Sequence, residues 1–402
     1  MRSPERPTAL LVVLVGVAGF ALLAWWLVPW DPVGREVTPA RAAAVFSAER
    51  IERAESYSSR VRLWSWGSLA VSLAVACWLG FTSVGSRVVG RVPGPRWLVV
   101  VLAVVGCELA GRLATLPFAI GLQRERLAAG LSTQSWEGWA RDLAVSQALV
   151  VVPTAVGLAL VVAAAHRWRR AWPSVVGVGL AGFVLVASFV HPLLVEPLFN
   201  RFTSLPDGPL RSEVLALAER EQVPVDDVLV ADASRRTTSL NAYVSGFGST
   251  RRVVLYDTHV DDAPQDETLA VVAHELAHAR HDDPLVGTAL GAAGVLAGVG
   301  LLGLVVGGSI RDPRRVPQVL ALVAVVTLLA SPVEAGISRR IEVRADLDGL
   351  AATGDAASFV ALHRRLALRS LADPTPPAWS QWWFGTHPTV LERVGLTAAA
   401  GD

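Results

Sequence analysis

The chain has almost no cysteine and no lysine, and each absence narrows what it can be. Its two cysteines, Cys77 and Cys107, both lie inside apolar stretches, so neither a disulfide framework nor a cysteine-based metal site is expected. Any metal would have to be held by nitrogen and oxygen ligands. Because lysine is absent, all 36 basic residues are arginines, which indicates a GC-rich coding bias more than a function.

The charge of the chain is also uninformative about partners. The formal net charge is +1, and no basic cluster interleaved with aromatic residues occurs, so no nucleic acid partner is expected. By contrast, 52% of the 402 residues are hydrophobic and the mean hydropathy is +0.45. A chain this apolar is typical of a membrane protein rather than of a soluble domain.

Seven long apolar stretches predict seven membrane-spanning helices and a multi-pass protein in the lipid bilayer, which we expect to be a bacterial cell membrane. The arginines of the connecting loops do not decide which side of the membrane the soluble part faces. The predicted spans are residues 8–30, 63–86, 97–123, 143–165, 171–190, 284–310 and 316–333.

The third predicted span contains two opposite charges, Glu108 and Arg112, one helical turn apart. Exposing such charges to lipid costs about 2.5 to 3.5 kcal/mol each, so they must face a partner, a cavity or water. A polar chamber enclosed by the helices and a structural ion pair would both explain them.

Residues 197–283 differ in character, with frequent charges, prolines and glycines, and predict a small folded domain. Within it, residues 210–221 have the periodicity of an amphipathic helix, and residues 228–231 and 253–256 are predicted to be short strands. Residues 241–248 are predicted as a glycine-rich strand or hairpin. An open edge there could hold an extended peptide, although an ordinary structural hairpin fits the sequence equally well.

The pattern H-E-x-x-H occurs at His274, Glu275 and His278, in a run with helical periodicity. On a helix, two imidazoles four residues apart lie on one face and can bind the same metal ion. Glu275 is turned away from that face, where its carboxylate could act as a general base toward water instead of binding the metal. This is the arrangement that a zinc peptidase needs.

A catalytic zinc site requires a third protein ligand, and a later helical segment offers one. Glu342 and Asp346 lie four residues apart and therefore share a helical face. Glu342 could bind the metal while Asp346 accepts a hydrogen bond from a ligand histidine. From these residues alone, a surface pair with neighbouring arginines is the more common alternative.

Six short segments, taken in order, resemble the integral-membrane zinc metallopeptidases that include the type I CAAX prenyl endopeptidase and the bacterial heat-shock membrane protease. Seven spans resemble the CAAX enzyme more than the four-span heat-shock type. The segments are Pro197-Leu198-Phe199-Asn200, Asn241-Ala242-Tyr243, Val254-Leu255-Tyr256-Asp257-Thr258, the metal-binding run, Ser338-Arg339-Arg340-Ile341-Glu342 with Ala345-Asp346, and Thr386-His387-Pro388 with Glu392-Arg393.

The resemblance implies a role for each matching residue and a water-filled chamber between the spans. The chain departs from the family pattern at three positions: Ala277 replaces a common glycine, Ile341 a common aromatic residue, and Asp283 a common histidine. The resemblance implies zinc ligands His274, His278 and Glu342, Glu275 as general base, His387 as oxyanion donor, supporting roles for Asp346 and Arg393, and substrate backbone binding by Asn241 and Ala242.

The predicted fold is mainly α: a polytopic membrane protein of seven helices enclosing a chamber, with a small α+β zincin-like domain. The predicted parts are residues 1–196 with five spans, 197–283 with the H-E-x-x-H helix, 284–337 with two spans, and 338–402 with the third ligand. The expected activity is a zinc endopeptidase with one Zn²⁺ per chain, acting on membrane-associated or lipidated peptides or proteins. A metallopeptidase-like sensor-transducer, or a scaffold without proteolytic activity, is the alternative.

Overall fold

The computed structural model describes residues 4–400, so residues 1–3 and 401–402 of the first and last predicted parts lie outside it. Within residues 4–400, seven helices are long and apolar enough to cross a membrane, which confirms the predicted number. The helices before the sheet are α1 (Arg6–Leu27), α2 (Ala42–Val45), α3 (Ala48–Phe81), α4 (Ser83–Val89), α5 (Arg96–Ala128), α6 (Trp136–Arg167), α7 (Trp172–Leu194) and α8 (Glu196–Phe199).

The second membrane helix begins well before its apolar stretch. Helix α3 starts at Ala48, so the charged residues 48–62 form about four turns of the same helix before the span predicted at residues 63–86. This extension contacts the C-terminal part of the chain, since Arg62 Nη1 donates to Asp373 Oδ2 at 2.7 Å. One helix thus connects the membrane part with the C-terminal part.

A four-stranded sheet follows the fifth membrane helix, and its strand order is β1-β2-β4-β3. Strands β2 and β4 are parallel, whereas β1 and β3 pair antiparallel with β2 and β4. Strand β3 therefore lies at an edge of the sheet, and β1 was not predicted. The elements up to the metal-binding helix are β1 (Phe202–Ser204), α9 (Pro209–Arg220), β2 (Asp227–Ala231), β3 (Ala242–Ser245), β4 (Arg252–Tyr256), α10 (Asp257–Asp262) and α11 (Gln265–Arg280).

One face of this sheet packs on α11 around a buried core that includes Leu255, Val272 and Leu276. The remaining helices are α12 (Asp283–Val305), α13 (Val316–Thr353), α14 (Ala356–Ser370), α15 (Ala378–Phe384) and α16 (Val390–Ala400). Helix α12 packs closely along α1. A Cβ added to Gly300 would lie only 2.5 Å from the backbone nitrogen of Val13. Small residues permit such close approach of membrane helices.

The last membrane helix and the predicted third-ligand segment are one continuous helix. Helix α13 runs for 38 residues from Val316 to Thr353, so the boundary predicted between residues 337 and 338 lies inside it. Pro332 lies within this helix and cannot donate to the carbonyl of Leu328. The indole nitrogen of Trp383 donates to that carbonyl instead, at 3.2 Å.

Candidate metal centre and active site

Helices α11 and α13 bring the three predicted metal ligands together. The Nε2 atoms of His274 and His278 are 3.1 Å apart, and they lie 3.4 and 3.6 Å from the carboxylate oxygens of Glu342. Ligands bound at 2.0–2.2 Å to a tetrahedral zinc ion are about 3.3 Å from one another. The donor atoms therefore have the spacing and the chemistry that fit a zinc ion with an open fourth position.

Asp346 and Arg393, for which supporting roles are predicted, both lie beside these three residues. Asp346 is fully buried, and its Oδ1 lies 2.9 Å from His274 Nδ1. Arg393 Nη2 donates to Glu342 Oε2 at 2.7 Å, and its Nη1 lies 3.3 Å from Asp346. Burial alone would raise the pKa of Glu342, but hydrogen bonding and charge from His274, together with the Arg393 charge, lower it to about 2. The Arg393 charge does not depend on the protonation of His274, and it favours the ionised carboxylate that a metal ligand needs.

Two residues of this centre were not predicted as part of it. The Nδ1 of His278 lies 2.9 Å from Oδ2 of Asp283, the first residue of α12, and Asp283 also pairs with Arg344. A carboxylate on the far nitrogen orients a ligand imidazole. His363 of α14 is buried 3.7 Å from Asp346, and burial together with the Arg393 charge lowers its pKa to about 3. The sequence signals for Asp283 are its place five residues after the second ligand histidine and the histidine that the resembling family commonly has there.

The predicted general base and oxyanion donor both face the same cavity as the ligands. Burial raises the pKa of Glu275, the direction required for proton transfer near neutral pH. His387 lies in the connection between α15 and α16, with Nε2 at 3.3 Å from Glu342 Oε1, and its side chain is 62% exposed. The protein around the cavity partly desolvates the imidazole and so lowers the pKa of His387, although the Glu342 charge opposes this.

Asn241 and Ala242 are at the start of the edge strand, and both line the cavity. The carbonyl of Asn241 accepts from the Tyr256 amide of β4 at 3.0 Å. In an antiparallel ladder, hydrogen-bonded pairs alternate with pairs that are not hydrogen-bonded. Ala242 opposite Leu255 and Val244 opposite Val253 are pairs of the second kind. The backbone N–H and C=O groups of Ala242 and Val244 therefore point away from β4. The open edge therefore presents the N–H and C=O groups of Ala242 and Val244.

The cavity extends from the metal ligands into the membrane part. Its volume is about 770 Å³, and its walls include Phe20 of α1, Leu290 of α12 and Val333 of α13. Glu108 and Arg112 line a different cavity of about 460 Å³, where Arg112 Nε donates to Gln147 Oε1 at 2.5 Å. These two charges thus face a polar space between helices.

The chain is similar to known protein families and to a solved structure. The family model "Peptidase family M48" matches residues 204–397, and the model "CAAX prenyl protease N-terminal, five membrane helices" matches residues 33–201. The crystal structure of Ste24p from S. mikatae has a TM-score of 0.71 and 18% identity, covering 98% of this chain and 99% of that chain. The similarity of the two structures therefore supports the fold described above.

Two curated relatives match in different ways. An uncharacterized metalloprotease of Bacillus subtilis (strain 168), YhfN, is 28% identical over 312 residues, which are 74% of this chain and 73% of that protein. CAAX prenyl protease 1 of Saccharomyces cerevisiae (strain ATCC 204508 / S288c) is 41% identical over 95 residues, covering 23% of this chain and 21% of its own length. With two family models matching nearly all of residues 33–397, the chain belongs to the M48 family and is a multi-pass membrane metalloprotease.

Proposed function

We propose that the protein is a zinc-dependent endopeptidase that cleaves peptide bonds in membrane-associated or lipidated substrates. The observation that carries the proposal is the spacing of the three donor atoms of His274, His278 and Glu342, at 3.1 to 3.6 Å. A zinc ion held there would polarise a carbonyl and lower the pKa of a bound water to about 7.

In this mechanism, Glu275 removes a proton from the attacking water and later returns it to the leaving amine. His387 donates a hydrogen bond to the oxyanion that forms on the scissile carbonyl, which is worth on the order of 3 kcal/mol when the geometry is right. Arg393 offsets part of the negative charge of the two buried carboxylates, Glu342 and Asp346, and holds Glu342 in place.

The substrate backbone is proposed to lie along the edge strand. The outward groups of Ala242 and Val244 supply two donors and two acceptors for an extended peptide, and Asn241 begins the same edge. Adding a strand to an open edge is a common way to bind a peptide without reading its sequence. The side chains of the substrate would then decide specificity elsewhere in the cavity.

The membrane-associated character of the substrate is inferred from the cavity. It connects the metal ligands with the apolar walls of α1, α12 and α13, so a substrate could enter from the membrane part. We further propose that the polar space around Glu108 and Arg112 belongs to a water-filled chamber between the spans. A reporter peptide joined to a stably folded domain tests access: slow cleavage of the fusion and fast cleavage of the free peptide support an enclosed site, and equal rates contradict it.

The peptidase proposal is tested with two variants and one control. Glu275→Gln should keep zinc but lower kcat/KM for a reporter peptide by about 10²- to 10⁴-fold, the contribution expected of a general base. Glu342→Ala should lose both zinc and cleavage. Glu213→Gln, at an exposed position of α9, is the matched control and should behave as the wild type. Undiminished cleavage by the Glu275→Gln variant would contradict the mechanism, and a wild type that binds zinc without cleaving would favour a sensor or scaffold.

A further inference from the structure

The C-terminal end of helix α15 is hydrogen-bonded to α13, the helix that carries Glu342. The guanidinium Nη1 of Arg339, three residues before Glu342 on α13, donates to the carbonyl of Gln381 at 3.0 Å and to the carbonyl of Gly385. The Gln381 carbonyl also accepts from the Gly385 amide at 3.0 Å, and Arg339 adds a second, charged donor at this end of the helix. Arg339 thus links the end of α15 to α13 next to the metal ligands.

The two carbonyls that Arg339 binds belong to the segment that immediately precedes His387. Gly385 is two residues before His387, and Gln381 Nε2 donates to the backbone carbonyl of His387 at 2.7 Å. The imidazole is 62% exposed; its Nε2 lies 3.3 Å from Glu342 Oε1, and its Nδ1 lies 2.9 Å from Oγ1 of Thr386, a residue of the same segment. Where His387 points therefore depends on how the segment from Gln381 to His387 is anchored.

A second attachment joins α15 to the same helix. The indole of Trp383 donates to the Leu328 carbonyl, which is free of its usual helical partner because Pro332 has no N–H. Both of these hydrogen bonds from α15 or to it are made with α13, one near the membrane part and one near Glu342, while Trp379 of α15 contacts Trp66 of α3. This fixes the His387 segment relative to the helix that supplies the third ligand.

We propose that Arg339 is a positioning residue for the reaction: it holds the backbone that sets His387 opposite the metal ligands. The inference rests on the proposed function, because it assigns Arg339 a role only if His387 stabilises the oxyanion. It predicts that removing the guanidinium misplaces the imidazole without changing the metal ligands. A displacement of about 1 Å at a catalytic group can lower a rate by about 10²-fold.

The test is a double-mutant cycle with Arg339→Gln, His387→Ala and the combined variant, each purified with its zinc content measured. Arg339→Gln should lower kcat by about 10- to 100-fold with KM and zinc content little changed. The combined variant should be no slower than His387→Ala alone, since an imidazole that is absent cannot be misplaced. Losses that multiply would overturn the inference, because Arg339 would then act independently of His387.

Further variants separate positioning from folding. Arg340→Gln changes the neighbouring arginine, which is exposed, and should keep wild-type kcat. Arg339→Lys should recover part of the rate, because an ammonium can still donate to the carbonyls. Trp383→Phe removes the other attachment and should lower kcat in the same direction, whereas Trp382→Phe, at a residue that is 56% exposed, should not.

Inhibitor affinity gives a readout independent of turnover. A peptide hydroxamate binds through the metal, whereas a peptide phosphonamidate also presents oxygens at the position of the oxyanion. Arg339→Gln should weaken the phosphonamidate about tenfold or more and leave the hydroxamate unchanged. Equal weakening of both would contradict the inference, while absence of cleavage by the wild type would instead refute the proposed function.

Discussion

Gly349 of α13 lies directly against the backbone of His274 on α11. A Cβ at Gly349 would be 2.9 Å from the His274 nitrogen and 3.1 Å from its Cα, which is closer than real Cβ atoms ordinarily approach. Glu342 is on the same helix, seven residues earlier, so this contact sets how near α13 can bring its carboxylate to the two histidines. The geometry of the metal centre thus depends on a residue that touches no metal.

Substituting Gly349 should weaken metal binding without changing a ligand. Gly349→Ala forces the two helices apart by a few tenths of an ångström, and Gly349→Val forces them further apart. We expect the zinc dissociation constant, measured by competition with a chelator, to rise about tenfold for alanine and more for valine. Gly336→Ala is the matched control, because its Cβ would meet only a side-chain nitrogen of Arg339, at 3.9 Å. Identical affinities for the variants at 349 and 336 would contradict this account.

Asp283 should contribute to metal affinity through His278. The Asp283→Asn variant removes the negative charge that orients the imidazole and raises its basicity, so zinc affinity should fall by about 10- to 100-fold. The neighbouring Asp282→Asn variant is the control, since Asp282 pairs with Arg251 and its left-handed backbone suits asparagine. Chelator competition on both purified variants checks the prediction, which fails if the two lose equal affinity.

The open edge of β3 can be tested with proline. Val244→Pro removes an N–H that points away from β4, so the fold and the zinc content should persist while kcat/KM falls roughly tenfold through a higher KM. Ser245→Pro removes an N–H that the register directs to Arg252 of β4, and it should instead lower the unfolding temperature. An unchanged KM in the Val244→Pro variant would show that substrate does not bind along this edge.

The stability of the catalytic part should fall in mild acid because of His259. This side chain is fully buried, and burial lowers its pKa to about 4, opposed by the Glu267 charge and reinforced by that of Arg365. Since the folded pKa is below the unfolded value of about 6.5, the unfolded state binds more protons as the pH falls. The contribution of neutral, buried His259 to the free energy of unfolding is therefore fully present above about pH 6.5 and is lost progressively toward pH 4.

Between pH 7 and pH 5, the loss of free energy of unfolding that is due to His259 amounts to about 2 kcal/mol. The difference in unfolding temperature between the wild type and His259→Gln, measured in detergent at both pH values, should narrow in acid. A His191→Gln variant, at an exposed position on α7, should leave the pH dependence unchanged. A constant difference between wild type and His259→Gln would contradict the prediction.

Local patterns predicted the elements well where the side chains act over one or two turns. The spacing of His274 and His278 requires a common helical face, and the short apolar run of residues 253–256 agrees with strand β4. Long apolar runs likewise predicted the seven membrane helices. The start of α3 was missed because residues 48–62 are charged, and their helix is stabilised by contacts such as that of Arg62 with Asp373 rather than by hydrophobic periodicity.

The sequence by itself determined that this is a polytopic membrane protein and that two imidazoles share one helical face, since both follow from composition and helical repeat. Only the tertiary structure decided the distances from Glu342 to those imidazoles and the roles of Asp283, Arg339 and Gly349. These residues meet across separate helices, and such contacts depend on how closely backbones approach, which no local pattern specifies.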